Sequence, residues 1–181
     1  KRKKLLVERT NGIFKRKSFT HFFNDLIIPI HIIENVNSLK CKNLLEFLNP
    51  DLVVFEGSFI IKNEIYNIPK YGMLNVHLAI LPYLRGCSCM EWSILNNYPL
   101  GVTCHYIAKN VDSGKIINRY SLSYNKSDSY GLLRTKLIYL AAHSIGKAVN
   151  NIINNNFREN NAHHQDKGPW YSPMKDLKTI E

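Results

Sequence analysis

Largely apolar runs along the chain predict β-strands, because they are rich in β-branched and aromatic residues and end at turn-forming residues. Three such runs cover residues 52–55, 73–76 and 102–107, and a fourth covers 116–122. The first two lack polar alternation, which is typical of strands covered on both faces in a parallel sheet. The turn Asp112-Ser113-Gly114 lies between the third and fourth runs and favours an antiparallel return. All of these strands are expected to lie in one sheet.

Segments with helical periodicity separate these strands. Ser38 is placed to cap a helix that runs to residue 47, a short helix is predicted over 89–96, and the longest covers 129–153. Residues 26–33 are apolar and predict one more short strand. Strands that alternate with helices indicate an α/β domain with a mostly parallel sheet.

Composition narrows the class of protein. The chain has 181 residues, 45% of them hydrophobic and 21% charged, which fits one globular domain and excludes a disordered tail protein. The net charge of +10 favours an anionic partner, such as nucleic acid, a membrane surface or a phosphorylated small molecule. No apolar run reaches the ~20 residues of a membrane span, and the four cysteines lack zinc-site spacing. We therefore expect a cytoplasmic protein without a metal or a membrane contact.

Three polar residues are placed for chemistry. Asn75 and His77 are two apart near the end of a predicted strand, so both side chains leave on one face. Asp112 follows a later strand in a tight turn. Together they would supply an oxyanion donor, a proton carrier and a carboxylate. The same residue types also occur at strand ends and turns only to bond the backbone, and spacing alone leaves both readings open.

Three blocks of sequence, in order, resemble the folate-dependent formyltransferase family. They read NVHLAILPYLRG at 75–86, GVTCH at 101–105 and DSGKII at 112–117, with Trp92 between the first two. The family pattern is N-x-H-x-S-L-L-P-x-Y-R-G, a Trp, G-x-T-x-H and D-x-G-x-I-I. Ala79 stands in place of the family's Ser, and Leu84 in place of its Tyr.

The resemblance implies a Rossmann-like three-layer α/β formyltransferase fold that lacks its first strand, helix and strand. It implies an N-terminally shortened catalytic domain over residues 1–157 and a C-terminal tail over 158–181.

The resemblance also implies roles for the site residues. Asn75 and His77 would polarise the formyl group of 10-formyltetrahydrofolate, and Asp112 would hold His77 or a water that relays the proton of the amine. No metal is required. His105 lies two residues from Thr103 on a predicted strand and is expected to be structural or to support the catalytic residues without touching the substrate. The residues implied to bind the folate cosubstrate are Phe59, Ile60, Ile61, Leu81, Gly86 and Val111.

The acceptor is indicated by the run Arg85-Gly86-Cys87-Ser88 with Trp92, which is similar to the amino-sugar branch of the family. The implied substrate is a nucleotide-linked amino deoxysugar, such as dTDP-4-amino-4,6-dideoxyglucose, rather than a nucleic acid, and the resemblance allows a homodimer. The alternatives are a methionyl-tRNA formyltransferase, a phosphoribosylglycinamide formyltransferase and a non-catalytic folate-binding module. The residues implied to bind the substrate are Arg85, Trp170 and Tyr171. The two aromatic residues would either stack on the base or pin the tail to the core.

Overall fold

The computed structural model describes residues 28–57, 59–154 and 169–171. Its strands are β1 (Val53–Phe55), β2 (Met73–His77), β3 (Arg85–Gly86), β4 (Gly101–Tyr106), β5 (Ile116–Ser121) and β6 (Trp170–Tyr171). Four of them form one sheet in the order β1-β2-β4-β5, and β3 pairs with β6 in a separate ladder. The predicted placement of the main apolar runs in one sheet is confirmed.

Four helices accompany the strands: α1 (Leu39–Leu48), α2 (Asn63–Tyr66), α3 (Cys89–Leu95) and α4 (Tyr130–Ile153). Ser38 caps α1, since its side chain accepts a hydrogen bond from the Cys41 N–H at 3.2 Å. Ser129 caps α4 in the same way through the Leu132 N–H. The three helices that periodicity predicts are therefore present.

The sheet is mixed. Strands β1 and β2 are parallel, as predicted, and β5 returns antiparallel to β4, as the turn at 112–114 indicates. Strand β4 also runs antiparallel to β2, so two of the three described pairings are antiparallel, where the pattern predicts a mostly parallel sheet. The residues of β4 from Gly101 to His105 are all buried. Burial on both faces removes the regular alternation of apolar and polar residues whichever way the strand points, so the pattern does not indicate the direction of the strand.

Helices cover the sheet on both faces and build three layers. Leu74 and Cys104 pack on Ala148 and Ile152 of α4. Met73 points to the opposite face and packs with residues of α1, α2 and β1 in a second cluster. Asn75 and His77 follow Met73 at intervals of two, so they lie on this second face.

Residues 28–33 form no strand, and the prediction of one there is wrong for these residues. Pro29 lies in the run and has no N–H to donate to a neighbouring strand. The apolar side chains of Ile28, Ile30 and Ile32 are exposed.

Candidate active site

Four polar side chains project from one face of β2 and β4. The antiparallel register places Asn75 opposite His105 and His77 opposite Thr103. Residues directly opposite each other share a face, with Cβ atoms about 5 Å apart. The side chains that alternate with these four point instead toward α4. The pairing therefore gathers an amide, two imidazoles and a hydroxyl into one patch.

Asp112 joins this patch from the turn between β4 and β5. Its backbone has φ +48°, a left-handed conformation that Asp tolerates better than most residues. One carboxylate oxygen, Oδ2, accepts a hydrogen bond from the Gly86 N–H at 2.8 Å and lies 3.6 Å from His77 Nδ1. The other, Oδ1, lies 3.6 Å from His105 Nε2. The convergence of His77 and Asp112 that the spacing predicts is present.

The His77 ring is buried and held on both sides. Its Nε2–H donates to the Leu84 carbonyl at 2.9 Å, while Nδ1 faces Asp112. Burial lowers the pKa of His77 below its ordinary value of 6.5, and the negative charge of Asp112 opposes this effect. His77 is therefore a neutral base at neutral pH, with its lone pair directed at the carboxylate.

His105 is the residue of the site that the sequence predicts to be structural or to support the catalytic residues. It is 2% exposed, and its ring centroid lies 6.5 Å from that of His77. Burial lowers the pKa of His105 as well. Two sequence signals bear on its role: it ends the block GVTCH, and it lies two residues after Thr103, which places both side chains on one face of β4.

Asn75 is half-buried and lies opposite His105. Its side-chain amide makes no hydrogen bond to another described residue, so its N–H groups can donate to a reacting oxygen. An uncommitted amide N–H is the kind of donor that can stabilise an oxyanion.

The loop between β2 and β3 is fixed against the sheet by Thr103. Its hydroxyl donates to the Ala79 carbonyl at 2.7 Å and accepts from the Leu81 N–H at 3.0 Å. Gly86 at the end of this loop has φ +97°, which an L side chain rarely adopts, and this conformation delivers its N–H to Asp112. The loop therefore carries both the acceptor for His77 and a donor for Asp112.

The tail segment 169–171 completes this loop. Strand β6 pairs with β3, and the Arg85 N–H donates to the Pro169 carbonyl at 3.2 Å. The Tyr171 ring packs on Trp92 of α3 with 5.1 Å between ring centroids. For Tyr171 this contact agrees with the interpretation that the aromatic residues pin the tail. The role of Arg85, Trp170 and Tyr171 in substrate binding stays a prediction.

The six residues implied to bind folate divide by exposure. Phe59 and Ile60 are 71% and 70% exposed, and Val111 is 42% exposed, so each offers apolar surface to a flat ring. The side chains of Ile61 and Leu81 are buried in the core, which leaves only their backbone groups for a ligand. Gly86 contributes its backbone to Asp112. Exposed apolar surface fits a pterin ring, and the six assignments remain a prediction.

Asn37 positions the segment that carries Ile60, and sequence reasoning misses it. Its side-chain N–H donates to the Ile60 carbonyl, and its side-chain oxygen accepts from the Lys62 N–H, both at 2.8 Å. The Asn37 side chain thus bonds the backbone of this segment as a neighbouring strand would, although Lys62 lies 25 residues further along the sequence. A lone Asn before a capping Ser gives no signal of this contact.

Metal clusters and membrane spans are both absent from the described part of the chain. Residues 28–57, 59–154 and 169–171 contain no group of three or more His, Cys, Asp or Glu side chains arranged to hold a metal ion. None of the helices in these ranges combines the length and apolarity needed to cross a bilayer.

The sequence of residues 34–148, more than half of the chain, matches the model of the family described as formyl transferase. The chain belongs to the formyl transferase family. The matched range contains all four polar residues of the β2–β4 patch and Asp112, so the candidate active site lies inside the family domain.

Individual relatives agree with this family. The chain is 34% identical over 147 residues to the bifunctional polymyxin resistance protein ArnA of Wigglesworthia glossinidia brevipalpis, covering 80% of this chain and 22% of that protein. It is 29% identical over 171 residues to the methionyl-tRNA formyltransferase of Alkaliphilus oremlandii, covering 92% of this chain and 53% of that one. The chain thus spans about half or less of the length of these curated relatives.

A solved structure shows the same formyl transferase fold. It is the formyltransferase PseJ from Anoxybacillus kamchatkensis, in complex with UDP-4,6-dideoxy-4-formamido-L-AltNAc and tetrahydrofolate. The TM-score is 0.69 at 24% identity, and the match covers 88% of this chain and 82% of that chain. The α/β three-layer fold that the sequence blocks imply is confirmed.

Proposed function

We propose that the protein transfers a formyl group from 10-formyltetrahydrofolate to the amine of a nucleotide-linked amino deoxysugar. The observation that carries the proposal is the meeting of His77, Asp112 and His105 beside the uncommitted amide of Asn75. Transfer of a formyl group to an amine needs a donor for the charge on the formyl oxygen and an acceptor for the proton of the amine. The patch supplies both.

Each residue of the candidate site has a defined task in this proposal. Asn75 donates an N–H to the formyl oxygen as negative charge develops there. His77 and Asp112 face each other at 3.6 Å, which is longer than a hydrogen bond, so the proton of the amine can enter between them. Gly86 keeps the carboxylate in place through its N–H. The exposed side chains of Phe59 and Ile60 offer an apolar surface on which the folate ring can rest.

Three observations support a nucleotide-linked amino sugar as the acceptor. The run Arg85-Gly86-Cys87-Ser88 with Trp92 is similar to the amino-sugar branch of the family. The structure that shares the fold at a TM-score of 0.69 holds a UDP-linked formamido sugar. A net charge of +10 favours the phosphates of such a nucleotide sugar.

Methionyl-tRNA is the second candidate acceptor. The relative that covers 92% of this chain is a methionyl-tRNA formyltransferase. The basic composition of the chain suits RNA equally well, because phosphate contacts dominate affinity for nucleic acid.

The test is a comparison of acceptors. The full chain is incubated with 10-formyltetrahydrofolate and either dTDP-4-amino-4,6-dideoxyglucose, a UDP-linked 4-amino sugar, phosphoribosylglycinamide or methionyl-tRNA, and mass spectrometry detects the formylated product. We expect product with a nucleotide sugar and none with the other two. Formylation of methionyl-tRNA alone would overturn the choice of acceptor, and no product with any acceptor would favour a non-catalytic folate-binding module.

The site is tested with the same assay. Loss of one oxyanion donor typically lowers kcat roughly 10²–10³-fold, so we expect this fall for Asn75→Ala. Lys126 is exposed on the turn before α4, and Lys126→Ala is the matched control that should keep the rate. Full turnover by Asn75→Ala would show that the patch is structural.

A further inference from the structure

Both imidazoles of the patch have their tautomer fixed by a backbone carbonyl. The His77 Nε2 lies 2.9 Å from the Leu84 oxygen, and the His105 Nδ1 lies 2.8 Å from the Tyr106 oxygen. A carbonyl oxygen only accepts, so each of these nitrogens must carry the hydrogen. In the neutral rings the other nitrogens, His77 Nδ1 and His105 Nε2, then carry lone pairs.

These two lone pairs point at the same carboxylate from opposite sides. His77 Nδ1 lies 3.6 Å from Asp112 Oδ2, and His105 Nε2 lies 3.6 Å from Asp112 Oδ1. His105 Nε2 is buried and has no hydrogen-bond partner among the described residues. Three acceptors converge with no hydrogen between them, which is costly in a buried site unless a proton arrives. The arrangement gains a hydrogen bond when it takes up one proton, which can lie at either of the two nitrogen–carboxylate contacts.

We infer that His77, Asp112 and His105 act as one proton acceptor, in which His105 is a positioning residue that acts through Asp112. The inference rests on the proposed function for the source of its proton. The N–H bond of the attacking amine breaks as its C–N bond to the formyl carbon forms, and the trio of His77, Asp112 and His105 takes that proton. The C–N10 bond of the donor breaks, and N10 takes the proton from the trio. The trio returns to its starting state, so the proton balance closes.

The charges around the trio keep it without a proton at rest. Burial lowers the pKa of His77 and His105, while the negative charge of Asp112 raises both. The guanidinium of Arg85 on β3 lowers the pKa of His105 further. Cys89 of α3 also faces Asp112, and burial raises the pKa of its thiol to about 12, so the thiol stays neutral.

Two isosteric variants test the role of His105. In His105→Gln the amide nitrogen takes the place of Nε2 and donates to Asp112, but it cannot carry a proton. In His105→Asn the amide nitrogen takes the place of Nδ1, and no group replaces Nε2 beside Oδ1 of Asp112. General-base catalysis contributes roughly 10²–10⁴-fold, and since His77 and Asp112 remain, we expect kcat to fall roughly 100-fold in both. His143 on α4 is exposed, and His143→Gln is the control that should keep the rate.

The pH profile separates proton acceptance from a structural role. Activity requires the unprotonated trio and is lost as the pH falls. Because the amide introduced by His105→Gln hydrogen bonds the ionised carboxylate, the acid limb of kcat/KM should move to lower pH by about one unit in that variant. A lower kcat with an unmoved acid limb in both variants would overturn the inference.

A spectroscopic measurement tests the trio without either substrate. Nitrogen-15 spectra of the wild-type protein should show His77 protonated at Nε2 and His105 at Nδ1. On acidification the nitrogen-15 signals of both rings should change with one shared midpoint pH, because the two coupled rings take up a single proton between them. Separate midpoints or the opposite tautomers would overturn the inference. If the rings behave as expected but no acceptor is formylated, the proton acceptor stands and the proposed function fails.

Discussion

Replacing Thr103 by Val should destabilise the protein far more than the loss of one oxygen suggests. Thr103 is fully buried, and its hydroxyl serves two backbone groups, the Ala79 carbonyl and the Leu81 N–H. Val has the same shape, so no cavity forms, but both backbone groups lose their partner. Each unsatisfied buried group costs about 1–3 kcal/mol, so for two groups we expect a loss of about 2–6 kcal/mol in the free energy of unfolding. For a domain of this size the melting temperature should fall by roughly 4–24 °C.

The matched control is Thr135→Val in α4. Thr135 is also buried, but its hydroxyl donates only to the Gly131 carbonyl, which the helix already provides with an N–H donor. We expect a loss of less than about 1 kcal/mol there. Urea unfolding followed by circular dichroism measures both variants. Equal losses in the two would refute the argument, because the difference depends on the two loop groups that Thr103 alone satisfies.

Three further predictions follow from burial and close contact. The pKa of both His77 and His105 lies below 6.5 in the folded state, so the unfolded chain binds more protons in acid. The free energy of unfolding should therefore fall as the pH drops below 6.5, with a slope of up to about 2.7 kcal/mol per pH unit for two protons, and unfolding curves at a series of pH values would contradict this if stability stayed flat. At about pH 8 a thiol reagent should label the exposed Cys87 quickly, whereas Cys89 and Cys104, whose pKa burial raises to about 12, should react only after unfolding; rapid labelling of all three would be the contrary result. Gly114→Ala places a Cβ 1.8 Å from the Tyr106 carbonyl oxygen, so we expect a loss of about 3 kcal/mol or more, and a wild-type urea midpoint would show that the turn has room.

The sequence predicts much of the candidate active site because side chains along a strand return to the same face every two residues. That period alone puts Asn75 and His77 on one face, and the turn at Asp112 brings the carboxylate back to the same sheet. The resemblance to formyltransferases then supplies roles for these three residues. Their convergence follows from local patterns and a short connection.

His105 could not be assigned in the same way. Its place beside Asp112 depends on β4 running antiparallel to β2 with Asn75 opposite His105. A shift of the register by one residue would turn His105 toward α4, and no pattern in a buried strand fixes that register. Strand β6 could not be predicted for a different reason, since its two residues are too few to show a period. Asn37 contacts the Ile60 segment through side-chain geometry alone.

The pairing of β3 with β6 affects the order in which parts of the chain can fold during synthesis. The ribosome produces β6 after the whole four-stranded sheet and α4, so the nascent chain can form its core while β3 has no partner. Long-range pairings are late because the entropy of loop closure must be offset before they form. Gly86, the donor to Asp112, belongs to this late pair. A newly made chain can therefore form its core before the pairing with the segment around Pro169 holds Arg85 and Gly86 in place.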